Sequence, residues 1–247
     1  MSHALLLDTT LCTGCGACTA ACKEQNVLPV DIEDRNTAYT WCTVEKRGNT
    51  FVRRMCMHCE SPTCASVCPV GAMQKSAEGP VLYDPKKCIG CRYCIQACPF
   101  DVPKYQWDRN VPVVAKCIMC QPRLAKGEPT ACASVCPTGA TKFGKREDLV
   151  REAKERIAAT PGRYVDHIYG LHEAGGTSVL MLSAVPFGQL GLRTNLPDEP
   201  LGKLTWRVLS RVPDIVLMGG TLLYGIYWIT KRRDHVRRIE GGEGHES

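Results

Sequence analysis

Aromatic residues are scarce in this sequence: its 247 residues include only four phenylalanines and four tryptophans. A core of ordinary size needs large apolar side chains, so much of the fold must be organised by whatever else the chain binds. Catalytic constellations are missing too. No nucleophile, acid–base pair or nucleotide-binding loop is visible, so no catalytic residue is assigned. The N-terminus, MSHALLLDTTLC, lacks a basic segment and a twin-Arg pair, and it reaches Cys12 too early for a cleavable signal. The expectation is a chain that stays in the cytoplasm or is exported with a partner carrying the signal.

Cysteine, by contrast, is abundant, with seventeen in all. That density means disulfides, zinc or iron–sulfur clusters. Sixteen of them fall into four groups. The first is Cys12, Cys15, Cys18 and Cys22; the second is Cys56, Cys59, Cys64 and Cys68. The third is Cys88, Cys91, Cys94 and Cys98, and the fourth Cys117, Cys120, Cys132 and Cys136. Groups one and three read C-x2-C-x2-C-x3-C, and group three is followed by Pro99. That is the bacterial ferredoxin run, in which three thiolates hold one [4Fe–4S] cubane and the fourth reaches its neighbour. Cysteines three apart wrap one cube, and the next begins a helix that points away.

An internal repeat supports this reading. CASVCPVGA at 64–72 and CASVCPTGA at 132–140 differ at one position, and CTGCGACTAAC and CIGCRYCIQAC share the frame C-x-G-C-x-x-C-x-x-A-C. The chain therefore reads as a duplicated two-cluster ferredoxin. Spacing leaves the pairing open: sequential pairing (one with two, three with four) and nested pairing (one with four, two with three) both join one motif of each type. Disulfides suit neither the loop spacing nor the absence of a signal. Zinc is the competing reading, because every group contains C-x2-C, yet C-x2-C-x2-C-x3-C-P is not a zinc-ribbon spacing. Cys42 belongs to no group and reads as a small buried apolar residue. His58, inside group two, reads as a loop histidine that could tune a cluster. The glycines of these loops permit tight turns.

Formal net charge is +6. A [4Fe–4S]2+ core with four thiolates carries about −2, so four clusters would add roughly −8 and reverse the sign. The basic balance is therefore no argument for nucleic acid, and no nucleic-acid partner is expected.

Beyond Cys136 the metal motifs stop. Residues 145–159 place Leu149, Val150, Ala153 and Ile157 at helical spacing, which predicts an amphipathic helix. PVLYD at 80–84 and TSVLMLSAV in the Gly- and Pro-rich stretch 170–200 read as strands. Residues 212–230 carry one charge, Asp214. Nineteen helical residues span about 28 Å, close to a hydrocarbon core of about 30 Å. Trp206, Tyr227 and Trp228 suit interfacial belts, and Thr221 with Gly225 allows close helix contact. Lys231, Arg232, Arg233, Arg237 and Arg238 follow the span, against Lys203, Arg207 and Arg211 before it. The positive-inside rule then puts the tail in the cytoplasm and the cluster domain outside.

With CMHCESPTC (56–64), CIGCRYCIQACPFDVPK (88–104), KCIMCQPRLAKGEPTACASVCPTGA (116–140), FGKREDL (143–149), GGTSVLML (175–182) and the C-terminal anchor, the chain resembles the iron–sulfur beta subunit of membrane-bound formate dehydrogenases. Related beta subunits serve membrane nickel–iron hydrogenases. The resemblance implies nested ligation of four [4Fe–4S] clusters: Cys12, Cys15, Cys18 and Cys136; Cys22, Cys117, Cys120 and Cys132; Cys56, Cys59, Cys64 and Cys98; and Cys68, Cys88, Cys91 and Cys94. It also implies a molybdenum or tungsten pterin formate dehydrogenase as catalytic subunit, or a nickel–iron hydrogenase or another molybdopterin oxidoreductase in its place, together with a membrane b-type cytochrome that reduces quinone. The expected architecture is α+β: a duplicated ferredoxin-like four-cluster domain over 1–143 and a helix and loop extension over 144–210. A single transmembrane helix over 211–231 in the lipid bilayer and a basic cytoplasmic tail over 232–247 follow.

Overall fold

An apolar run opens the chain, and its burial on both faces fixes the centre of the fold. The computed structural model describes residues 2–242 apart from 32 and 112, so the end of the predicted tail, 243–247, lies outside the described residues. The first strand, β1 (His3–Asp8), buries Ala4, Leu5, Leu6 and Leu7 almost completely. Side chains alternate across a strand, so Leu5 and Leu7 join one core and Ala4 and Leu6 another. Each fully buried leucine contributes about 1.5–3 kcal/mol.

The cysteine loops then alternate with short elements. Helix α1 (Ala17–Gln25) follows the first loop, and the hairpin β2 (Thr43–Arg47)–β3 (Thr50–Arg54) pairs Thr43 with Arg54 and Arg47 with Thr50. Next come the one-turn helix α2 (Thr63–Ser66), the hairpin β4 (Met73–Lys75)–β5 (Val81–Tyr83) and the one-turn helix α3 (Tyr93–Gln96). The hairpin β6 (Lys104–Tyr105)–β7 (Val114–Ala115) leads to the one-turn helices α4 (Gln121–Leu124) and α5 (Ala131–Ser134). The strand predicted in PVLYD is β5. The two copies of the repeat supply α2 and α5.

Strand β8 (Thr141–Lys145) returns antiparallel to β1, with His3 opposite Lys145 and Leu7 opposite Thr141. The predicted amphipathic helix is α6 (Arg146–Ala159), which buries Leu149 and Ala153 and half-buries Val150 and Ile157. These side chains pack on the Ala4 and Leu6 face of the sheet. The strand expected in TSVLMLSAV is β9 (Val179–Leu182), which pairs parallel to β1 from Leu5↔Val179 to Asp8↔Leu182. The opposite face, carrying Leu5, Leu7, Val179 and Met181, meets the cysteine loops. Residues 144–202 thus pack in the same compact unit, Met1–Gly202, as the loops.

Lys203–Ser247 forms a second unit. Helix α7 (Leu201–Leu209) begins at the boundary, and α8 (Val212–Gly242) is long and apolar enough to cross a membrane. Its 31 residues extend about 46 Å. Ile215, Leu217, Leu222, Leu223 and Trp228 are all exposed. The Thr221 hydroxyl donates to the Leu217 carbonyl at 2.9 Å and the Thr230 hydroxyl to that of Ile226 at 2.7 Å. These two hydroxyls are therefore satisfied within the helix itself, as a low-dielectric surrounding demands.

Candidate metal centres

Each cysteine loop is bent by the residue two places after its first cysteine. Gly14, His58, Gly90 and Met119 hold these equivalent positions, with φ of 75°, 48°, 74° and 53°. The left-handed backbone turns an N–H back onto the thiol: Gly90 N–H donates to Cys88 Sγ at 3.4 Å and Met119 N–H to Cys117 Sγ at 3.3 Å. Glycine adopts this conformation without strain. For His58 and Met119 it costs about 1–2 kcal/mol each, offset by burial, since both are almost fully enclosed.

The repeated C-P-x-G-A turn builds a second kind of donor cradle. Ala72 N–H donates to Cys68 Sγ at 3.2 Å. Burial pushes the Cys68 thiol up, but the N–H groups of Met73, Ala72, Val70 and Gly71 outweigh it and hold the thiol below its ordinary value. In the other copy burial of Cys136 is outweighed by the Thr141 N–H, by Thr138 and by the Ala140 N–H. Gly71 and Gly139, at φ 62° and 65°, let the chain curl around these sulfurs as an anion nest. A Cβ at Gly139 would meet nothing within 4 Å, so Gly139→Ala adds backbone strain alone. It should cost about 1–2 kcal/mol, read as a lower midpoint for thermal bleaching of the visible cluster absorption.

The sixteen thiols converge in four sets that cut across their order in the chain. Cys12, Cys15 and Cys18 line one cavity with Cys136. Cys22, at the far end of the same loop, lines a second with Cys117, Cys120 and Cys132. Cys98 lies beside Cys56, Cys59 and Cys64, and Cys94 lies among Cys88, Cys91 and Cys68. The helices carry this grouping, because α1 packs on α5 and α2 on α3. Neighbouring sets also lie near one another: Arg53 borders both cavities, the Cys117 thiol feels that of Cys56, and Cys64 feels that of Cys94. The sets therefore follow one another in a row.

These donors fit cubanes better than single ions. Tetrahedral zinc at 2.3 Å would draw its sulfurs to about 3.8 Å from one another. Among the described residues no three of His, Cys, Asp and Glu converge closely enough to hold one ion. Burial pushes Cys22 and Cys64 up to about 12 and Cys94 to about 11, so iron must displace protons to bind there. His58 offers a further sign of fit. Its Nδ1 accepts the Val81 N–H at 2.9 Å, which leaves the proton on Nε2, and that buried atom has no partner among the described residues. Burial, with the charges of Lys116 and Lys75, holds this histidine well below its ordinary pKa and hence neutral. An unpaired buried N–H is costly, and a cluster sulfur is the kind of acceptor it lacks.

Two residues here were not legible as functional. Cys42 is buried, as expected for a small apolar residue, but its thiol also acts on Cys18. That thiol and the Arg53 charge hold Cys18 down to about 6 against burial. Arg53 itself donates from Nε to Cys42 Sγ at 3.1 Å and from Nη1 to the Thr141 hydroxyl at 2.7 Å. Its only cue in the sequence is its position three residues before Cys56.

Comparison with known proteins agrees with this geometry. Two families, each described as a 4Fe-4S dicluster domain, match residues 11–72 and 48–146. Two dicluster domains imply four [4Fe–4S] clusters. A protein of Nitratidesulfovibrio vulgaris is 42% identical over 98% of this chain and 70% of its own length. The hydrogenase-2 operon protein HybA of Escherichia coli O157:H7 is 34% identical over 100% of this chain and 89% of its own. The formate dehydrogenase iron-sulfur subunit of Haemophilus influenzae is 33% identical over 89% and 77%, respectively. The chain belongs to the family of electron-transferring 4Fe–4S subunits of formate dehydrogenase- and hydrogenase-type complexes.

Proposed function

We propose that this chain carries electrons from the pterin-bearing catalytic subunit of a formate dehydrogenase to a membrane b-type cytochrome that reduces quinone. The observation that carries this reading is the series of four four-thiol sets brought together from distant parts of the chain. The ligand sets are the nested ones: Cys12, Cys15, Cys18 and Cys136; Cys22, Cys117, Cys120 and Cys132; Cys56, Cys59, Cys64 and Cys98; Cys68, Cys88, Cys91 and Cys94. When bound, the clusters supply reversible one-electron transfer. The chain's own work is to fix their spacing, exclude water and direct N–H groups at the sulfurs.

The α+β cluster domain, 1–143, sits outside the cytoplasm in this reading. The span 211–231 crosses the bilayer and the basic tail stays inside, supported by the charge excess after the span. Export would follow a signal on the catalytic partner.

A hydrogenase partner is the second reading, favoured by the match to HybA across the entire chain, where the formate dehydrogenase subunit of Escherichia coli K12 aligns over 72%. Purification of the intact complex separates the two. Formate-dependent, hydrogen-independent quinone reduction is the expected outcome, with about sixteen irons and matching acid-labile sulfide per chain. Hydrogen-dependent activity would transfer the assignment to a hydrogenase, and four zincs without sulfide would end both readings.

A further inference from the structure

Arg53 is a buried cation, and among the described residues no acidic side chain pairs with it. It is 6% exposed, and its nitrogens are directed at Cys42 Sγ, the Met55 thioether and the Thr141 hydroxyl. The groups named as acting on its charge are the Cys132, Cys42 and Cys18 thiols. An arginine cannot shed its proton in a protein, and a buried charge without a counter-charge is strongly unfavourable. The hairpin explains how it arrives there. Arg53 and Arg54 are adjacent on β3, so the pleat sends them to opposite sides. Arg54 turns out to the carbonyls of Leu190 and Gly191, both at 2.9 Å, and Arg53 turns in.

The inward position borders both the cavity of Cys12, Cys15, Cys18 and Cys136 and that of Cys22, Cys117, Cys120 and Cys132. A four-thiolate [4Fe–4S]2+ centre carries about −2. The anions that Arg53 lacks are those these two cavities are suited to hold.

We propose that Arg53 is a charge-positioning residue shared by these two sites, raising the reduction potential of both and acting also through the Cys42 thiol to which it donates. The inference rests on the ligand sets proposed above. Reduction adds one electron, and so one negative charge, to a site beside a fixed positive charge. In a low-dielectric interior that charge favours the reduced form, and a hydrogen bond to a ligand sulfur acts in the same direction.

The test is an EPR-monitored redox titration of the intact complex carrying Arg53→Gln, Arg53→Lys or Cys42→Ala, with iron analysis of each. Arg53→Gln should lower two of the four midpoint potentials at least tenfold in the reduction equilibrium, about 59 mV for a one-electron couple. Arg53→Lys should restore most of that shift, and Cys42→Ala should lower one of the same two potentials by less. Four unchanged potentials at full iron content would overturn the proposal while leaving the ligand sets standing. If Arg53→Gln loses iron, retention of iron by Arg53→Lys with near-native potentials supports the charge role. Loss in both variants overturns it in favour of shape. A native complex with fewer than four [4Fe–4S] signals would instead sink the ligand sets themselves.

Discussion

Cys136→Ser is expected to abolish the cluster held with Cys12, Cys15 and Cys18 and to spare that of Cys88, Cys91 and Cys94. Cys136 shares a cavity with the first group although the whole of groups two and three intervenes in sequence. Its sulfur is also prepared for ionisation, because the Thr141 N–H, Thr138 and the Ala140 N–H outweigh the burial that opposes it. A serine hydroxyl in the same nest is a harder, far less acidic donor and a poor match for iron held among thiolates. In a row of four sites, losing one interrupts the path. Quinone reduction by the complex should fall by more than the roughly 10–100-fold typical of losing a single supporting hydrogen bond around a metal. Iron should drop from about sixteen to about twelve per chain, with one low-temperature EPR signal missing. Loss of the third group's signal with the first group's intact would overturn the nested arrangement.

Sequence patterns mark the candidate ligands but not how their thiols come together. Residue types and spacings mark sixteen cysteines because the chemistry of a cubane constrains a local loop, and the repeat marks its duplication for the same reason. Pairing is a long-range property. Under the proposed ligand sets each group serves two sites, and the packing of α1 on α5 and α2 on α3 decides which thiols meet. The same limit runs through the scaffold. Leu149, Val150, Ala153 and Ile157 announced α6 by their period, and the apolar run at 179–182 announced β9. That β9 lies parallel to β1, enclosing the Leu5–Leu7 segment from both sides, is a contact across more than 170 residues and left no trace in spacing. Arg53 shows the limit at its sharpest. Two adjacent arginines in TFVRR look alike, and which one faces inward depends on what the hairpin packs against. For Cys42 the burial was legible, but the hydrogen bond it accepts from Arg53 was not.

Paired charges in the middle of α8, Leu222→Arg with Leu223→Arg in the full chain, are expected to release this subunit from the membrane while leaving its clusters in place. Residues 212–230 contain eight Ile, Leu and Val. On an insertion scale of about 0.3–0.6 kcal/mol each, they contribute roughly 2–5 kcal/mol together. Two arginines near the helix centre add roughly 5–7 kcal/mol in the opposite sense, so the balance changes sign. The side chains at 222 and 223 are exposed, and the helix belongs to a different compact unit from the cysteine loops. Iron content and the four EPR signals should therefore be unchanged. Carbonate washing of membranes should then extract the variant but not the native chain. Substrate-dependent reduction of a soluble dye should persist, and reduction of membrane quinone should collapse, because only the latter needs the helix in the bilayer. A variant that resists carbonate extraction like the native chain and keeps full quinone reduction would show that α8 does not carry the attachment. The exposed apolar face would then need protein rather than lipid to cover it.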